Sequence, residues 1–134
     1  HSLRLAADTL VAVVPASHPW SGRTDVPLAD FAREDVVIRE RGSITREVFE
    51  TRLAEAGIRP RSIVEVQTRE AVREAVAAGF GVGVIFDREF GDDPACRKLG
   101  VRDADLSVAE YVVCLEERRR IPLVRSFLEV VRPG

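Results

Sequence analysis

Ile63-Val64-Glu65-Val66-Gln67-Thr68-Arg69-Glu70-Ala71-Val72-Arg73-Glu74-Ala75-Val76-Ala77-Ala78-Gly79-Phe80-Gly81-Val82-Gly83-Val84-Ile85-Phe86 is the stretch that decides the fold. Ile63 to Gln67 alternates as a strand does. Thr68 then offers its hydroxyl as an N-cap and Glu70 places negative charge in a helical first turn. Ala71, Val72, Ala75 and Val76 form an apolar stripe that runs up to Gly79. The glycines end the helix and let the chain turn tightly into Val82–Phe86, an all-apolar run that suits a buried strand. A strand, a helix and a second strand in this order imply a right-handed crossover between parallel strands.

The same grammar extends in both directions. Leu10 to Val14 is a continuous apolar run stopped by Pro15, and the next segment, Ala16 to Arg23, has the Pro, Gly and Ser of a loop. Pro27 opens a short helix within Val26 to Ala32, and Asp35 to Arg39 is a short strand. Glu40 to Thr45 turns into a helix whose apolar face is predicted as Ile44, Val48, Phe49, Leu53 and Ala56, with Gly57 as its stop and Pro60 beyond. After the turn residues Gly91 to Pro94, Cys96 to Val101 reads as a weaker strand, at an edge of the sheet, and Glu110 to Leu115 as a further strand. Pro122 begins a last helix with Leu123, Val124, Phe127, Leu128 and Val131 on one face. Strands alternating with helices predict an α/β fold, a mostly parallel sheet with helices on both faces.

Composition narrows the function classes. With 134 residues, 46% apolar and 31% charged, the chain has the material for one core, in one lobe or two, and is neither disordered nor fibrous. No apolar stretch reaches the ~18 to 20 residues of a membrane span, and the first residues do not read as a signal peptide, so a soluble, cytoplasmic protein is expected. Twenty basic against twenty-two acidic residues, with the signs interspersed, do not give the basic stripe of a nucleic-acid binder. Arg118-Arg119-Arg120 follows Glu116-Glu117 and reads as a solvated turn. Cys96 and Cys114 lack any CxxC or His pair, so no metal or disulfide is expected, and Cys114 reads as a small buried hydrophobe. Met is absent and His1-Ser2 resembles a tag scar, which suggests a piece of a longer protein.

No residue pattern supports catalysis, and no cofactor is implied. Gly79 to Gly83 has the helix before the glycines, whereas a dinucleotide loop has the strand first. His18 has no acidic or Cys partner at catalytic spacing and reads as a loop histidine. Gly42-Ser43 lacks the strand-elbow pattern of a nucleophile. One device does stand out. Two helices begin directly after strand ends, and both start with hydroxyl and cationic side chains: Arg41, Gly42, Ser43, Thr45 and Arg46 at the first, Thr68 and Arg69 at the second. Helix N-termini at the carboxyl ends of strands favour anions. The alternative, that Ser43 and Thr68 only cap their helices, stays open.

Leu10 to Pro15 followed by His18-Pro19, then Leu28 to Phe31, Arg39 to Arg46 and Glu70 to Val84, resemble in order and wording the C-terminal part of LysR-type transcriptional regulators. The resemblance runs from about Thr9 to Val131. It implies the fold of type 2 periplasmic binding proteins, here as one complete lobe plus part of a second. Residues 1–8 would be tag scar and a disordered or partial lead-in, 9–24 a first-lobe strand and crossover, 25–101 the complete second lobe, and 102–134 the crossover back with the last first-lobe strand and helix. An N-terminal winged helix-turn-helix lies outside such a region and would make the contacts with DNA.

The family holds its effector in the cleft between lobes. Carried onto this sequence, the effector-binding positions are Arg41, Gly42, Ser43, Ile44, Thr45, Thr68, Arg69, Val84 and Phe86. The implied partner is a small anionic metabolite, and the implied assembly a homo-oligomer, a dimer first. Arg69 to Gly83 and Tyr111 to Phe127 resemble the branch associated with aminoethylphosphonate catabolism, so the guest would be a phosphonate or a carboxylate. A transporter's solute-binding protein shares the fold and is the main rival; an enzyme on the same architecture is a second.

Overall fold

A computed structural model describes residues 1–132 and divides the chain into two units, one of Thr9–Leu106 and one of His1–Asp8 with Ser107 onward. The seven strands are β1 (Ser2–Pro15), β2 (Asp25–Val26), β3 (Asp35–Arg39), β4 (Ser62–Val66), β5 (Val82–Phe86), β6 (Cys96–Val101) and β7 (Ser107–Val113). The helices are α1 (Ile44–Ala56), α2 (Arg69–Ala77), the single turn α3 (Asp87–Phe90) and α4 (Pro122–Val131), with 3-10 turns at Leu28–Arg33 and Glu116–Arg118.

In the larger unit the sheet order is β2-β6-β1-β5-β3-β4. β3 runs parallel to both β4 and β5, and β2 parallel to β6, as crossover connections require. β1 departs from the expected parallel arrangement. It is antiparallel to β5, with Leu10 opposite Phe86, and to β6, with Val14 opposite Arg97. An apolar run buried on both faces reveals that a strand is central but not which way it runs.

Alternation along the strands feeds two cores. Val11, Val13, Val37 and Ile85 pack with Val72 and Val76 of α2 and with Phe90 and Cys96. Gly83 makes that packing possible, because a Cβ there would stand 2.8 Å from Val76 and 2.9 Å from Val72. On the other face Trp20, Phe31 and Phe49 form a chain of edge-to-face rings, with centroids 5.3 and 5.1 Å apart. The buried side of α1 is Thr45, Arg46, Phe49 and Leu53. The predicted stripe is thus corrected at its ends: Ile44 is 54% exposed and Ala56 is exposed, while Thr45 and Arg46 take the buried side of the first turn.

In the smaller unit β7 pairs with β1, and His1 exchanges hydrogen bonds with the backbone of Cys114. Ser2–Asp8, expected only as lead-in, is therefore strand. The unit boundaries fall at 8/9 and 106/107, whereas the resemblance places lobe boundaries at 25 and 101. Leu10–Val14 lies in the larger unit because both its neighbours, β5 and β6, are there. Two further expectations change. Cys114 is half-buried, with Tyr111, Val113 and Leu115 exposed around it, and of the predicted α4 face only Leu128 is buried. No described helix is long and apolar enough to cross a membrane.

Candidate functional site

β3, β4 and β5 are parallel neighbours, so their carboxyl ends lie on one edge of the sheet. Arg39 and Val66 stand opposite each other as the last paired residues of β3 and β4. The chain leaves those two positions through short turns and enters α1 and α2. Gly42, at φ +97°, makes the first turn possible.

Both helices are capped as their sequences predict. Ser43 Oγ accepts from the Arg46 N–H at 3.2 Å, and Thr68 Oγ1 accepts from the Ala71 N–H at 3.0 Å. Each hydroxyl keeps its own proton for donation outward. The N–H groups of Ile44 and Thr45 open α1 and have no acceptor within the helix. Capping and ligand donation are therefore compatible roles for the same side chains.

The three arginines expected beside these helix starts have three different environments. Arg41 is exposed and makes no ion pair among the described residues. Arg69 donates to Glu70 at 3.1 Å and lies 3.7 Å from Glu89 of α3, and these carboxylates raise its already high pKa further. Glu70, in turn, is held below the usual carboxylate range by its own backbone N–H and by Arg69. Arg46 does not face outward at all. It is 6% exposed, its Nε donates to Glu50 at 2.7 Å, and its Nη1 donates to Glu65 at 2.6 Å and to the Arg39 carbonyl at 3.3 Å. Burial alone would lower its pKa, and the two carboxylates more than offset that.

Val84 and Phe86 are in the β5 core, 1% and 7% exposed, opposite Ala12 and Leu10. They offer little surface to a ligand in this structure. The turn 41–45, Thr68 and Arg69 do share the β3–β4 edge. His18 corrects a different expectation: its Nδ1 accepts from the Trp20 N–H at 3.0 Å, and its Nε2 lies 3.4 Å from Glu34, an acidic partner that distance along the chain concealed. The burial of Arg46 was also missed. Its one local signal is Glu50 four residues on, a spacing that reads equally well as a surface pair. Among the described residues no group of three or more His, Cys, Asp or Glu side chains could hold a metal ion.

The LysR substrate binding domain family matches residues 1–134. The RuBisCO operon transcriptional regulator of Allochromatium vinosum is 38% identical over 125 residues, which is 91% of this chain and 41% of that protein. The chain thus spans well under half the length of this curated relative. Among solved structures, the effector binding domain of QuiR in complex with shikimate superposes with a TM-score of 0.83 at 20% identity, covering 98% of this chain and 63% of that one. The regulatory domain of Synechocystis PCC6803 CcmR in complex with 2-PG gives 0.85 at 22% identity, with 98% and 64% covered. The expected α/β, periplasmic-binding-protein-like architecture is therefore the observed one, and the curated relatives are named as transcriptional regulators. With the family match running the whole length of the sequence, the chain belongs to the LysR substrate-binding domain family.

Proposed function

We propose that this chain senses a small anionic metabolite for a LysR-type transcriptional regulator, and that the β3–β4 edge supplies one side of the binding site. The observation that carries the reading is the pair of capped helix starts leaving adjacent strand ends, with Arg41, exposed and without an ion pair among the described residues, beside one of them. An oxyanion there would accept from the Ile44 and Thr45 N–H groups and from the Ser43 and Thr68 hydroxyls, and the helix dipoles would add to the attraction. Gly42 leaves the turn open to such a guest.

Shikimate, bound by QuiR, is a carboxylate, and CcmR is complexed with 2-PG, so anionic guests suit this architecture. A carboxylate or a phosphonate is the class expected here. The effector would act by binding one arrangement of a cytoplasmic, homo-oligomeric regulator more tightly than another, and so reposition DNA-binding heads carried elsewhere in the longer protein. The relatives' role as transcriptional regulators favours this reading over a transporter's solute-binding protein.

The test uses the full-length regulator and a panel of small carboxylates, phosphates and phosphonates, read by thermal shift, since a ligand of the native state raises its apparent stability. Ser43→Asp with Thr68→Asp is the decisive variant. Asp caps a helix as well as Ser or Thr and suits its dipole, so stability should hold, but the added carboxylates repel an anion. The expected outcome is at least a tenfold loss of affinity with Tm within a few degrees of the parent. Unchanged affinity would remove the site from this edge.

A further inference from the structure

We propose that Arg46 is the positioning residue of this site: it fixes the turn before α1 against the ends of β3 and β4 without touching the ligand. The proposal rests on the anion-site reading of that edge. Arg46 is the one charged side chain that is buried among the described residues, and its bonds reach three elements. The guanidinium holds Glu50 on the next turn of α1, Glu65 near the end of β4, and the carbonyl of Arg39, the last residue of β3. Its backbone N–H is the donor that engages the Ser43 hydroxyl. The guanidinium thus anchors to both strand ends the residue whose amide closes the Ser43 cap.

A direct ligand role does not suit it. The charge is enclosed by two carboxylates, so the cluster as a whole carries a net negative charge. It also points into the fold. The planar fork is what the position requires, because donors at fixed angles reach several acceptors at once, while a lysine offers one compact ammonium. Removing the charge alone would leave Glu50 and Glu65 facing each other without a cation near an anion site. Position and electrostatics must therefore be separated by experiment.

The separating variant is Arg46→Met with Glu50→Gln and Glu65→Gln, which deletes the cation and both anions together. In the full-length regulator, with inorganic phosphate as the probe, affinity should fall at least fivefold. The hydrogen-bonded backbone amides in 40–47, those of Ser43, Arg46 and Glu47, should exchange with solvent faster than in the parent, and Arg46→Lys should fall between the two. Exchange in 40–47 at the parent rate would overturn the proposal. Parental phosphate affinity in the triple variant, alongside loss in Ser43→Asp/Thr68→Asp, would overturn it as well and leave the site reading standing. If Ser43→Asp/Thr68→Asp binds phosphate like the parent, the site reading is what fails, and the exchange rates alone decide whether Arg46 holds the turn.

Discussion

Thr9–Leu106 buries Phe31, Phe49, Ile38, Val36 and Val76 completely and finds cover for both faces of its sheet. In the smaller unit Leu128 is the one buried apolar side chain among the described residues, while Leu123 and Val130 are more than 80% exposed and Phe127 is half exposed. Both units obey the same sequence rules: α4 is as amphipathic as α2. The difference lies in what faces the stripe. α2 lies on Gly83 and Val37, close enough that a single Cβ would not fit, whereas the stripe of α4 has little opposite it. Burial of a Leu or Phe side chain contributes ~1.5–3 kcal/mol, so the larger unit holds nearly all the packing stability and the smaller unit's apolar residues await a surface.

The sharpest way to break this contrast is Gly81→Ala. A Cβ at Gly81 would lie 2.2 Å from the Asp35 carbonyl oxygen, and φ +157° is a conformation that side chains rarely adopt. Backbone blocks the space, so relief requires β3 and β5 to separate. A loss of about 3–5 kcal/mol is expected in chemical denaturation, at the severe end for a point change. Leu123→Asp with Val130→Asp should do the reverse in the other unit: stability of the isolated chain within about 0.5 kcal/mol of the parent, but markedly less self-association in sedimentation, since the exposed stripe is its adhesive surface. A parent chain that sediments as a monomer at high concentration would show that the stripe is not adhesive at all.

The legible parts of the molecule were those where local chemistry and tertiary demand agree. Asp35–Arg39, Val82–Phe86 and Cys96–Val101 are strands with the ends that apolar runs and turn residues mark, and Ser43, Gly57, Thr68 and Pro122 stand at the helix ends as their chemistry requires. β2 and α3 escaped because two and four residues are too short for a period to show. Gly83 was read with its neighbours as a turn residue, although its role is to admit Val72 and Val76. Nothing local marks Arg46 as buried, because its partners lie 4, 7 and 19 residues away. Only the fold brings those together, and a charge at helical spacing carries no mark of being buried.

The smallest expected effect belongs to Asp35, at the end of β3 opposite the candidate site. Arg61 grips its carboxylate through two bonds of 2.9 Å, Ser62 adds a third at 2.7 Å, and these hold its pKa at about 2 against an ordinary 3.8. Because the folded state depresses the pKa, the pair stabilises the fold fully above about pH 3.8 and loses that contribution as pH falls toward 2. The group is exposed and screened, so the acid limb of stability should be shallow. Carboxyl-carbon NMR should place the Asp35 midpoint near 2, and Arg61→Ala should move it up toward 3.8. Amides of β3 and β4 should loosen first on acidification, with those of β7 unchanged, if the larger unit titrates on its own contacts. A midpoint that stays near 2 in Arg61→Ala would assign the depression to Ser62 and the surrounding backbone instead.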